Sequence, residues 1–153
     1  MEWIQQQIDT WHINNRVNIY LLNEINESWF DDTIADKGRT VFQNFAHIHN
    51  VRLMWLKEAM PELMTTVTKI ESNEGKKILI THLNASSAAI VQLLEKGFAE
   101  NKIKGFKPHP TAFLGYLIAH EAHHRGYIMQ CLKSNKHLTN KSLGFALWQW
   151  GTR

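Results

Sequence analysis

The chain has 153 residues, 44% of them hydrophobic, enough for one domain with a core that needs no covalent staples. Its formal charge of +3 is mild, and the basic residues are dispersed apart from Lys102, Lys104 and Lys107 and a C-terminal third poor in acids, so no nucleic-acid partner is implied. A single cysteine, Cys131, excludes an internal disulfide.

The opening MEWIQQQIDT lacks the basic start and apolar run of a signal peptide. No stretch holds the roughly 18 consecutive apolar residues of a membrane span, so the expectation is a soluble cytoplasmic protein without a membrane partner. In chain order, a first helix is expected from Glu2 to Ser28, with Ile4, Ile8, Trp11, Val17, Tyr20, Leu21 and Ile25 at mixed three and four spacings. Asp31-Asp32 opens a polar loop that runs to Gly38. A second helix from Thr40 to Met60 places Phe42, Phe45, Ile48, Met54 and Trp55 at apolar positions and stops before Pro61, because a residue preceding proline disfavours helical angles. A short helical turn is expected in PELMTTVTKI. The third helix, Glu74 to Ala99, carries Ile80, Leu83, Ser87, Ile90, Val91 and Leu94 on one side, and the lysine-rich NKIKGFKPHP ends it. A fourth helix runs from Thr111 to Ser134, and the tail LGFALWQW forms a short fifth helix that docks its tryptophans. No segment alternates as a strand, and residues 1–153 read as a single all-α domain, a four-helix bundle with a short C-terminal helix.

Helix four contains His120-Glu121-Ala122-His123-His124, a literal HExxH of the kind zinc proteases use. The row Phe113, Leu117, His120, His124, Ile128, Cys131 follows helical three and four spacing, so His120 and His124 face inward. Glu121 is rotated by about 100° from His120, and His123 lies on another row with Tyr116, Ala119 and Tyr127. Two imidazoles in an apolar seam leave ring nitrogens in need of partners, at a cost of roughly 1–3 kcal/mol for an unsatisfied group, and a shared metal satisfies both. The pair alone is a weak signal: nine histidines placed at random yield about half of one such pair, so a third ligand must decide. The protease reading fails that requirement. No Asp or Glu follows Glu121, Tyr127 and Gln130 stand where the longer zinc-protease motif needs glycine and histidine, and no strand is available to align a peptide.

The second helix offers His47 and His49, which two residues of helix separate by about 200°, so they cannot serve one metal together. His47 opening HIHNVRLMWL, together with HEAHHRGYI in the fourth helix, resembles the DinB/YfiT family of proposed metalloenzymes. That family pairs a helix-two histidine and an aromatic-rich stretch with H-x-x-x-H-R-G-Q/H in the last long helix; here Tyr127 replaces the glutamine common after H-R-G. The closing LGFALWQW resembles the tryptophan-containing tail of many members, so the likeness touches most of the chain. The resemblance implies a bacterial protein with His47, His120 and His124 as ligands of a divalent transition metal, and the donor set is open to nickel, zinc, iron or manganese. Three neutral imidazoles from facing helices leave an open position for water or substrate, as a catalytic metal requires.

Members with assigned activities imply a thiol-cofactor-dependent S-transferase or isomerase acting on a small-molecule substrate, in which the metal activates the sulfur of a low-molecular-weight thiol. A metal-dependent hydrolase is the alternative, with water at the open position and no general base placed by spacing. A third reading is a metal-binding stress-response protein without turnover. Of the remaining residues, His49 is expected to be a surface or satisfied histidine and His123 exposed or at an interface. Arg125 is a surface residue or, beside the metal, a fork for an anionic substrate group, and Gly126 is expected to allow close helix approach. Trp3, Trp11, Trp148 and Trp150 exceed what the ends of a small bundle need, and with the family resemblance they point to a symmetric homodimer.

Overall fold

Four long helices form where the periodicity places them, with ends set by local chemistry. The computed structural model describes residues 2–35, 37–138 and 141–152, and within them α1 spans Trp3–Glu24, α2 Val41–Ala59, α3 Lys76–Glu100, α4 Pro110–Ser134 and α5 Lys141–Ala146. Single 3-10 turns occupy Glu27–Trp29, Pro61–Thr66 and Trp150–Thr152, and no strand forms among the described residues. α1 ends four residues before the expected Ser28 because Ile25 turns extended and the Asn26 side chain accepts from Ser28 N, starting a separate turn. α2 opens on a capping box: Gln43 N donates to Thr40 Oγ1 at 3.1 Å while Thr40 N donates to Gln43 Oε1 at 3.0 Å. α4 starts at Pro110, whose missing N–H costs nothing at a first helical position, and the His109 ring caps it by accepting from Ala112 N. α3 stops where Asn101 adopts left-handed angles and Lys102 N bonds back to Gly97 O; a side chain at Gly97 would strike Ile103.

In the bundle, α1 and α2 each pack against both α3 and α4. α3 is long and apolar enough to pass for a membrane span by length and composition, yet Leu79, Leu83, Ile90, Leu93 and Leu94 turn that surface inward. The apolar core comes in two clusters, one around Trp11, Leu56, Ile90 and Leu117, the other around Leu21, Phe45, Leu83 and Ile128. Between them on each helix lie buried polar residues: Asn14, Asn15 and Asn18 on α1, Arg52 on α2, Ser86 and Ser87 on α3, and Glu121 and Arg125 on α4. The bundle is therefore crossed near its middle by a polar layer that the apolar periodicity did not disclose.

Two apolar expectations are corrected at this level. Met54 is 53% exposed, since it lies on the outer side of α2 between the buried Leu53 and the half-buried Trp55. Trp148 is 82% exposed and Phe145 72%, so the tail docks through Leu143 and Leu147 and not through that tryptophan.

Candidate metal centre

α2 and α4 bring together the three histidines named from the sequence. His47 and His120 point Nε2 at Nε2 across 3.3 Å, and ring centroids lie 4.6 Å apart for His47 and His124 and likewise for His120 and His124. One ring nitrogen from each falls within 4.8 Å of the others, which suits a single ion chelated by three imidazoles. His47 and His120 are half-buried and His124 is buried, so the cluster sits at the edge of the core with one side toward solvent. His47 also lines a shallow cleft of about 380 Å³ shared with Arg39, Gln43, Asn50, Ile70 and Glu71. On the other flank the ring of Tyr116 stacks on His120 with centroids 6.2 Å apart.

The environment keeps these rings neutral, the form that can donate a lone pair to a metal. Burial, then the charge of Arg39, then His120 lower the pKa of His47. Burial also lowers His120, partly opposed by Glu121. His124 is lowered to about 4, by burial first and then by the adjoining histidines. Two nitrogens define the remaining fit. His124 Nδ1 lies 2.9 Å from Asn44 Oδ1, and His120 Nδ1 is buried with no hydrogen-bond partner among the described residues.

Glu121 takes no part in the cluster. It is fully buried on another side of α4, where Arg52 Nε donates to its Oε1 at 2.7 Å and Arg52 Nη2 to its Oε2 at 2.9 Å. The Asn14 and Asn18 amides donate to the same Oε2 at 2.6 and 2.7 Å. Burial opposes its charge, but Arg52 and Asn18 outweigh that and hold the carboxyl below the ordinary carboxylate range. A carboxylate so occupied is not free to act as base for a metal-bound water, the role that the HExxH pattern gives its glutamate.

Arg125 requires a correction: it is not a surface residue but buried, donating to Asn14 Oδ1 at 2.9 Å and Asn18 Oδ1 at 2.6 Å. Burial lowers its pKa to about 10, with Glu121 pulling upward. His49 is buried on a different side of α2 from His47, with its Nε2 2.8 Å from Thr68 O and its Nδ1 without a hydrogen-bond partner among the described residues, so it is only half satisfied. His123 is exposed, as its row on α4 requires. Gly126 is also exposed, and a side chain there would meet nothing, so it permits no close helix contact. Tyr127 lies with its hydroxyl over Gly38, whose φ of 88° already excludes other residues.

The sequence reading missed Asn44, Arg52 and the asparagines of α1. Asn44 could have been found from its position three residues before His47, on the same helical side, and Asn14, Asn15 and Asn18 from being poor helix formers inside a long helix.

A profile of the DinB family matches residues 4–135. A crystal structure from Exiguobacterium sibiricum, assigned to the DinB family, superposes with a TM-score of 0.59 over 94% of this chain and 99% of its own at 16% identity. That likeness carries the fold alone. No curated protein matches the chain.

Proposed function

The chain belongs to the DinB family, and from that premise we propose that it binds one divalent transition metal through His47, His120 and His124 and uses it as a thiol-cofactor-dependent S-transferase or isomerase. The observation that carries the metal reading is the convergence of three neutral imidazoles from α2 and α4 beside an open cleft. When bound, the metal supplies Lewis acidity that lowers the pKa of a coordinated thiol, and the thiolate is the better nucleophile. The chain holds the rings in place, keeps them unprotonated and offers Arg39 at the cleft as a cation for an anionic group of the thiol or substrate. Glu71 in the same cleft is engaged by Lys69 at 3.2 Å.

The hydrolase alternative is disfavoured by the same geometry. It needs a base at the metal, and the one carboxylate adjoining the ligands in sequence, Glu121, is held by Arg52. A stress-response protein that binds metal without turnover keeps the cluster but leaves the cleft without a use. The exposed Phe145 and Trp148 support a homodimer formed through the C-terminal segment. A buried free cysteine fits a cytoplasmic setting.

Metal analysis of purified protein tests the first half: about one divalent ion per chain is expected, and absence of binding to nickel, zinc, iron and manganese alike would remove the proposal. A conjugation screen pairing low-molecular-weight thiols with varied electrophiles tests the second. Turnover should require both thiol and metal and disappear in His124→Ala. Metal-dependent hydrolysis in the absence of thiol would favour the alternative instead.

A further inference from the structure

Asn44 lies on α2 one turn before His47 and is 1% exposed. Its amide nitrogen donates to Thr40 O at 2.8 Å and, with weaker geometry, to Arg39 O at 3.4 Å. Both N–H groups face carbonyls, so a flipped amide would set its own oxygen against two others; the orientation is determined by the network. Oδ1 is thereby directed at His124 Nδ1, 2.9 Å away. An amide oxygen only accepts, so Nδ1 must carry the hydrogen, and in a neutral imidazole the other nitrogen, Nε2, is then bare.

We infer that Asn44 is a positioning residue that fixes His124 as its Nδ1–H tautomer, leaving a bare Nε2 as the nitrogen this ring can offer to its cluster with His47 and His120. Its value to a metal rests on the metal-binding reading above; the tautomer itself does not. His120 provides the internal contrast, because its Nδ1 is buried with no hydrogen-bond partner among the described residues. A histidine ligand whose second nitrogen donates to a fixed acceptor has its ring orientation and tautomer set before the ion arrives. Removing such an acceptor typically lowers metal affinity by about 10–100-fold.

The test uses the full chain, metal-free and labelled with nitrogen-15, with the histidine ring nitrogens read by long-range proton–nitrogen correlation. Wild type should show His124 with protonated Nδ1 and bare Nε2, and Asn44→Leu should lose that preference. Titration with zinc chloride should then show affinity reduced by about 10–100-fold in Asn44→Leu and largely recovered in Asn44→Asp, which restores an acceptor oxygen. Should the leucine variant fail to fold by circular dichroism, Asn44→Ala takes its place in the same spectrum. An Nε2–H tautomer at His124 in wild type, or an unchanged tautomer in the folded variant, overturns the inference. A wild-type protein with the expected tautomer but no zinc binding would sustain the Asn44 assignment and sink the metal reading, so the two failures are told apart.

Discussion

His49 and His124 are both buried imidazoles kept neutral, but the first is a packing residue and the second a candidate ligand. Their substitutions should separate those roles. His124→Ala and His47→Ala are expected to lose most bound metal, since two imidazoles retain too little of the chelate, as read by inductively coupled plasma analysis after dialysis. His49→Ala should keep it; the reverse pattern would mean that the wrong helix-two ligand was assigned. The pH behaviour of His49 follows from its folded pKa of about 4, lowered first by burial and partly restored by its bond to Thr68. The folded value lies below the ordinary histidine value of 6.5, so the unfolded chain binds the extra proton more readily. Its stabilising contribution is fully present above pH 6.5 and is lost progressively as pH falls to 4, by roughly 3–4 kcal/mol at about 1.4 kcal/mol per pH unit. Urea unfolding of metal-free protein between those pH values should show the decline, and His49→Gln should make it shallower, with His124, also lowered to about 4, supplying part of the remainder.

At the scale of the helices, the Arg52–Glu121 pair joins α2 to α4, and Asn14, Asn18 and Ser86 bring α1 and α3 to the same knot. Arg52 also lies 4.8 Å from the centre of the Trp11 ring. Removing one partner leaves the other charge buried, so Glu121→Gln should cost roughly 3–5 kcal/mol in chemical denaturation. Casein cleavage should be undetectable in wild type and variant alike; cleavage that a chelator stops and Glu121→Gln abolishes would restore the protease reading. Gly126 offers the opposite expectation. It is exposed in the interior of α4 with open space where a side chain would stand, so Gly126→Ala should stabilise by about 0.5–1 kcal/mol through helix propensity. A loss of stability there would reveal a contact that the monomer does not contain.

For the molecule as a whole, the aromatic surface at the C-terminal end is the feature a lone bundle does not use. Trp11 is core, fully buried and donating to Ser87 O at 3.1 Å, so it is withdrawn from the dimer argument. Trp3 is exposed but rests edge-on against Phe98 at 5.2 Å. Trp150 is half-buried, which leaves Phe145 and Trp148 as the most exposed aromatics among the described residues. Light scattering at micromolar concentration should report twice the 17.8 kDa chain mass, and Trp148→Ser should return it to one. A constant monomer mass in wild type would remove the dimer.

The sequence alone determined the number and type of the long helices, their ends to within a few residues and the inward row holding His120 and His124. These depend on periodicity, proline and capping, which act between residues a few positions apart. Even the choice of His47 over His49 needed a family resemblance, because periodicity said only that the two could not share a metal. The partners of Glu121, Arg125 and Asn44 were beyond that reach. Helical spacing said only that Glu121 is rotated away from the seam of His120 and His124, not what it meets there. Only packing showed Arg52, sixty-nine residues away in sequence, within 2.7 Å of it. The polar layer escaped for the same reason: each asparagine on α1 alone is a poor helix former, and its burial becomes favourable only when α2, α3 and α4 supply complementary donors and acceptors. Local order is written in neighbouring residues, whereas the satisfaction of a buried charge is decided between helices, and that is where the tertiary structure assigned Glu121 to the core and left three histidines clustered without it.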